Sequence, residues 1–298
     1  MHFFYPIHIP SLDSVRYFKE LTCEHYKAFL KIILNDNAIA YEMFIDELLT
    51  DLCRDDLDIT KLTVFDKFVI MLEIRATNIS PVIEFNIPTG DKENRTYKIE
   101  LNDCLEICRS YDIEHTFDID LQELKIQGTL PRKMIVKDWF EVGIHCITDI
   151  QFKGKNIPVS TLSLKEQEHI ISHLPSSVLP KILEYIKRQI ATMGKQHLVQ
   201  LPGEDKSDGL QDIFISPIDG SIPSLIKMIY NMNLMDIYSA QMALMHHCKL
   251  DHAFIAASTP AEIQLYFRIA EEEAARQQAQ QQQDQQASSA PSTPTPPQ

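Results

Sequence analysis

Eight glycines in 298 residues, each isolated from the others, leave no phosphate-cradling loop in this chain. Average proteins carry about 7% glycine, and nucleotide sites built on G-x-G-x-x-G or G-x-x-x-x-G-K need several close together so that backbone N–H groups can approach phosphate. Neither motif occurs, nor the G-x-S-x-G elbow that exposes a nucleophilic serine. Cysteine is sparse too. Cys23, Cys53, Cys104, Cys108, Cys146 and Cys248 are scattered without a C-x-x-C, so no disulfide framework is indicated and reduced, buried thiols are expected.

Positive charge is the next shortage. Lys and Arg number 28 against 42 Asp and Glu, a formal charge of −14 that argues against a surface holding phosphate backbones by counterion release, so nucleic acid is not an expected partner. The opening "MHFFYPIHIP" has no basic region ahead of an apolar core, and the most apolar runs, such as "FVIMLEI", meet charge long before a bilayer would be spanned. The expectation is a soluble protein that is not secreted and has no membrane partner.

What the chain does contain is enough apolar material, 44% of residues, to build real cores, and enough length for two domains. "FFYPIHIP" and "SVRYF", split by the turn-forming "PSLD", read as a strand pair. Three helices follow: "LTCEHYKAFLKIIL" with Thr22 as cap and Tyr26, Phe29, Leu30 and Ile33 on one face, "AIAYEMFIDELLTDLC", and "TVFDKFVIMLEIRAT" opened by Thr63 with Asp66 three residues on. The acidic run from Glu42 to Asp66 is expected to be a solvated face, since it lacks the order of a calcium loop. From residue 79 the period becomes two: "ISPVIEFNIP" and "RTYKIEL" flank a polar turn, "FDIDLQELKIQGTLP" repeats the alternation, and "MIVKDWF" follows. The fold class is therefore α+β: N-terminal helices with a small antiparallel sheet over 1–150, a polar linker at 151–162, a mainly helical domain at 163–276 and a disordered Gln/Ser/Pro-rich tail at 277–298. Ser163 with Glu166, and Thr259–Pro260 with Glu262, mark helix starts in the second domain, and "GKQHLVQLPGEDKSDG" reads as a polar loop.

Two histidine groups raise the question of metal. "MALMHHCKLDH" gathers His246, His247, Cys248, Asp251 and His252, ligand types that zinc prefers. On adjacent helical positions about 100° apart, however, His246, His247 and Cys248 cannot converge on one ion, and histidine near a helix C-terminus has an ordinary role beside exposed carbonyls. His169 and His173 in "HIISH" share a helix face, yet Ile170 stands where H-E-x-x-H needs its glutamate. A metal-dependent enzyme using either group is thus the minority alternative; no catalytic residue and no cofactor is assigned.

Methionine points elsewhere. Met228, Met232, Met235, Met242 and Met245 recur at intervals of four, three, seven and three. On a helix this makes a stripe of flexible, polarizable side chains of the kind that accept an apolar partner without rigid fit, although packing of a helical core is the plain alternative.

The order of "VRYFKELTCEHYKAFLKIIL", "LDITKLTVFDKFVIMLEIRATNISPVIEFNI" and "FDIDLQELKIQGTLPRK" resembles the T-even-type bacteriophage baseplate protein family, the hub assembly proteins of contractile tails. Phe65 and Asp66 occupy its "F-D" positions and Ile74 with Arg75 its "L-R" positions; Asn78 stands where a serine is expected, and Tyr17, Phe18 and Lys19 precede "ELT" with no arginine at the expected place. The stretch from "PSLIKMIYNM" to "TPAEIQLYFRIAEEE" is similar to the family's ending. The resemblance implies a non-enzymatic assembly factor, or chaperone, acting in the host cytoplasm on baseplate hub or tape-measure proteins. A permanent subunit of the virion baseplate is the runner-up, and a non-viral adaptor a further alternative. On the first reading the working surface comprises Met228, Met232, Met235, Tyr238, Met242 and Met245 with Ile263, Tyr266 and Phe267 of the last helix.

Overall fold

The computed structural model describes residues 3–35, 37–88, 94–110, 114–133, 139–193, 196–197, 199–200, 212–213, 226–227, 229–230 and 234–288. Its contacts divide the chain into two compact units, one formed by Met1–Leu21 and Ala28–Asn231, the other by Thr22–Lys27 and Met232–Gln298. The division falls at Asn231 and Met232 rather than at the expected linker.

The first unit opens with the antiparallel pair β1 (Phe4–Ile9) and β2 (Ser14–Lys19), joined by a turn at Pro10–Leu12. Alternation places Tyr5, Ile7 and Ile9 inside. Helix α1 (Cys23–Leu34) follows, its Cys23, Tyr26, Phe29 and Leu30 buried at three and four spacings, and then α2 (Ala38–Leu52), capped by the Asn37 side chain on the Ala40 N–H. Phe29 lies 4.8 Å from Tyr230 in an edge-to-face pair and 5.9 Å from Tyr41 in a stacked one.

Helix α3 (Val64–Asn78) is the centre of this unit, with twelve of its fifteen residues buried. A helix apolar nearly all round belongs in a core. Its start is the capping box expected from sequence, the Thr63 hydroxyl accepting from the Asp66 N–H while the Asp66 carboxylate accepts from the Thr63 N–H at 2.8 Å.

Strands β3 (Val82–Pro88) and β4 (Asn94–Glu100) form the expected hairpin, followed by α4 (Leu101–Ser110). A second, four-stranded antiparallel meander runs β5 (Thr116–Leu121), β6 (Leu124–Thr129), β7 (Ile147–Phe152) and β8 (Lys155–Pro158), with α5 (Trp139–Cys146) between β6 and β7. Phe117, Ile119 and Ile126 point inward, and Asp118, Asp120 and Lys125 outward. Residues 151–162 are not a linker: they complete the β7–β8 hairpin through Lys153 (φ 48°) and Gly154 (φ 79°) and continue into a turn at Val159–Thr161 whose Val159 is buried. Edge strand β8 reads as a polar connection because its residues are mostly exposed. Helices α6 (Leu164–Ser172) and α7 (Val178–Met193) follow, α6 opened by Ser163 donating to Glu166 from both its N–H and its hydroxyl. The short strands β9 (Gln196–His197) and β10 (Val199–Gln200) lie where a loop was expected, and β11 (Asp212–Ile213) just beyond it, β10 pairing with β4 and β11 with β9.

The second unit gathers α8 (Leu234–His247), α9 (His252–Ala257) and α10 (Pro260–Ser288) with the first turn of α1. Its core is Cys23, Leu244, Ile255 and Ile263. The Cys23 N–H donates to the Ser258 carbonyl at 2.8 Å. Thr259 and Glu262 form the expected cap of α10. This helix runs through residues 277–288 of the segment expected as disordered; alanine and glutamine are good helix formers, so a glutamine-rich stretch extends a helix already nucleated by a packed first half. Residues 289–298 lie outside the described ones.

Candidate functional site

Helix α8 separates two faces. Ile237, Gln241 and Leu244 turn inward, while Met235 and Met242 are 65% and 64% exposed, with Tyr238 exposed between them. The spacings of three and four that bury one set lift the other into solvent. Lys27 anchors this face, its ammonium 5.5 Å from the Tyr238 ring and 3.2 Å from the Gln241 side-chain oxygen. Met245 is half-buried against the core cluster, and Met228 and Met232 lie outside the described residues.

The last helix corrects the expectation for its own face. Ile263 is 4% exposed and part of the core, and Tyr266 and Phe267 pack against that core rather than forming an outer surface. Spacings of three and four made this set the natural core stripe of an amphipathic helix. The apolar side chains that α10 shows to solvent are Leu265 and Ile269. Between α8 and α10 runs a groove of about 480 Å³ lined by Cys23, Ile237, Ala240, Pro260, Ile263 and Phe267, with Asp236, Arg268 and Glu271 at its margins. Burial pushes the Cys23 thiol up to about 12, against the opposing charge of Lys27, so this cysteine is an apolar wall and not a nucleophile at neutral pH.

The histidine groups do not assemble. His173 Nδ1 lies 2.7 Å from the His169 carbonyl, which engages one ring nitrogen with the backbone, and the two rings are tilted at 47° with 4.3 Å between centroids. His246 and His247 meet edge-to-face at 5.0 Å. Among the described residues no group of three or more His, Cys, Asp or Glu is placed to hold a metal ion, and no helix is long and apolar enough to cross a membrane.

A different cluster, not singled out as a site from the sequence, ties the first unit together through α3. Asp66, expected on a solvated belt, is fully buried and accepts from the N–H and hydroxyl of Ser11 at 2.9 and 2.5 Å and from those of Thr63 at 2.8 and 2.6 Å. Arg75 donates from Nε to the Ile229 carbonyl at 3.0 Å and from a terminal nitrogen to the Ser80 carbonyl at 3.3 Å. Asn78 accepts from the Leu21 N–H at 2.9 Å and donates to the Tyr5 hydroxyl and the Ile74 carbonyl, both at 2.8 Å. Burial pushes the Tyr5 hydroxyl above its ordinary range, with the Asn78 bond acting the other way. Each buried polar group here has a partner, as low-dielectric burial demands. Part of the signal was present in the sequence: Asp66 and Arg75 are motif positions that carried the family resemblance, while Asn78 stands where that pattern has serine, and all three hold the fold.

Residues 2–197 match the family model described as T4 bacteriophage base plate protein. That span holds the whole of α3 and its polar cluster apart from Ile229, while the stretch likened to the family's ending lies beyond it. No curated protein and no solved structure matches the chain. With well over half of the 298 residues matched, and with the motif residues Phe65, Asp66, Ile74 and Arg75 on its central helix, this chain belongs to the T4 bacteriophage base plate protein family.

Proposed function

We propose that this base plate family protein is a non-enzymatic assembly factor that holds an apolar surface of a baseplate hub or tape-measure protein in the infected cell and releases it as the baseplate forms. The observation that carries the reading is the exposed strip Met235, Tyr238 and Met242 on a helix whose opposite side is buried. Flexible thioethers flanking an aromatic ring accept varied apolar shapes, which suits a client that must later leave for a tighter, permanent interface. The groove beside Cys23 is a separate apolar feature of the same unit. Ile263 is withdrawn from the working surface, and Met245, Tyr266 and Phe267 serve as its support.

The family description itself favours a second reading, a permanent structural subunit of the baseplate. Quantitative mass spectrometry of purified virions beside an infected-cell lysate separates the two. The assembly-factor reading expects the polypeptide in the lysate and not in virions. A fixed copy number in virions makes it a structural subunit, and absence from both removes either role.

A further inference from the structure

The first unit carries a cleft that the proposed working surface does not use. It measures about 680 Å³ and is walled by α2, the turn at Ile59–Lys61, residues 132–133, α5, β7 and the start of α6. Its chemistry is divided. Ile39, Met43 and Leu164 line it with 56%, 58% and 62% of their surfaces exposed, three large apolar side chains around one opening. Beside them stand Lys67, Arg132, Lys133 and His145.

The carboxylates of this cleft are already engaged. Asp46 holds Lys67 at 2.6 Å, Asp149 accepts from Asn156 at 3.4 Å, and Glu42 has a partner of its own. The remaining cations are not matched: among the described residues Arg132 and Lys133 form no ion pair, and Arg132 Nε is buried without a hydrogen-bond acceptor. A buried guanidinium N–H left unsatisfied is costly, so its persistence calls for an explanation. His145 does not add to the charge at neutral pH, because burial first, and then the nearby Lys133 and Arg132, hold it down to about 4. Two unpaired cations beside an apolar rim, in a chain of net charge −14, form a local exception to the surface around them.

We propose that this cleft receives a segment of a partner protein carrying a carboxylate next to large apolar side chains, the carboxylate seating on Arg132 and Lys133 and the apolar groups on Met43, Ile39 and Leu164. The planar donor fork of arginine matches a carboxylate in bidentate fashion, and lysine adds a compact second charge. Nucleic acid fits less well, because a run of phosphates would extend past these two cations into the negative field of a chain of net charge −14. The cleft lies in the first unit and within the residues matched by the family, so it stands independently of the strip on α8.

The test uses the full chain, fluorescently labelled, on an array of short overlapping peptides tiling the other tail proteins encoded with it. The expected result is binding to peptides that place Asp or Glu beside Leu, Ile, Phe or Met. Lys133→Glu, an exposed change that leaves folding intact, lowers affinity at least about tenfold, because it removes one charge-assisted contact and sets a like charge against the carboxylate. Leu164→Ser weakens binding several-fold, Arg132→Lys retains part of it, and Met235→Ser leaves it unchanged. An NMR titration adds a readout that a structural role would not move: the His145 pKa rises when the peptide binds, because a nearby anion favours imidazolium. Peptides bound without a carboxylate, a Lys133→Glu chain that binds as well as the parent, or displacement of the peptide by a single-stranded oligonucleotide would each overturn the proposal.

Discussion

The hydroxyl of Ser11 lies 2.5 Å from the carboxylate of Asp66, fifty-five residues further along the chain. One carboxylate therefore closes the turn between β1 and β2 and caps α3 at the same time, since it also takes both donors of Thr63. Asp66→Ala should cost about 3 kcal/mol, because it strands several buried donors, whereas Ser11→Ala should cost about 1 kcal/mol, because Thr63 keeps the carboxylate satisfied. Urea denaturation of the two variants checks this, and equal midpoints would show that the Ser11 bond carries the whole contribution of Asp66.

Gly128 marks the bulge at which the β6–β7 register shifts. A Cβ there would fall 2.2 Å from the Phe117 ring and 2.4 Å from the Cys146 carbonyl, and the second of these is backbone that cannot step aside. Gly128→Ala should lose at least about 2 kcal/mol by overpacking. Gly154, in the β7–β8 turn, offers open space to a Cβ but has φ 79°, so Gly154→Ala should cost only about 1 kcal/mol, from backbone strain. Thermal melts of the pair should rank them in that order.

His145 gives the first unit a pH signature. Burial holds its folded pKa at about 4, below its ordinary value of 6.5, so the folded state favours the neutral ring. A group lowered in this direction for a base contributes stability at neutral pH that is lost as pH falls from about 6.5 towards 4, where the unfolded chain binds a proton that the folded chain refuses. Asp58 and Glu166, lowered by hydrogen bonds from Thr60 and Ser163, lose their contributions only further down, as pH falls below the ordinary carboxylate range. Melting temperatures measured between pH 7 and pH 5 should therefore fall more steeply for the parent chain than for His145→Gln. Parallel slopes would mean that the ring is protonated while folded.

The strip on α8 separates binding from stability. Met235→Ser combined with Met242→Ser changes two side chains that are about two-thirds exposed and should leave unfolding free energy within about 1 kcal/mol of the parent. Recovery of purified hub proteins on the immobilised chain should nevertheless drop about tenfold, as for loss of central apolar contacts. Unchanged recovery would place the client elsewhere.

Much of the local structure is written in short-range chemistry. Thr63 with Asp66, Ser163 with Glu166 and Thr259 with Glu262 each satisfy orphan donors within one turn, which needs no distant partner, and all three starts are found where the spacing puts them. The strand pair at the start and the alternation at "FDIDL" are local in the same sense. Expectations failed where the outcome depends on what arrives from far along the chain. Asp66 sits in an acidic run that continues outward through Asp58 and Asp56, and its burial draws on Ser11, fifty-five residues away, as well as on its local cap Thr63. Residues 155–158 are as polar as a linker because an edge strand shows much of itself to solvent, and pairing with β7 makes them sheet.

The sequence by itself determined the family, the α+β class, the helix starts and the absence of a phosphate-cradling loop, because each rests on neighbours within a few residues or on composition. Only the tertiary structure decided which polar residues enter the core, that Met235 and Met242 face outward while Ile263 faces inward, and that Arg132 and Lys133 stand beside an apolar rim without an ion pair among the described residues. Those outcomes depend on burial and on partners brought from tens of residues away, and a side chain's pattern along its own helix cannot say which of two faces the rest of the chain will cover.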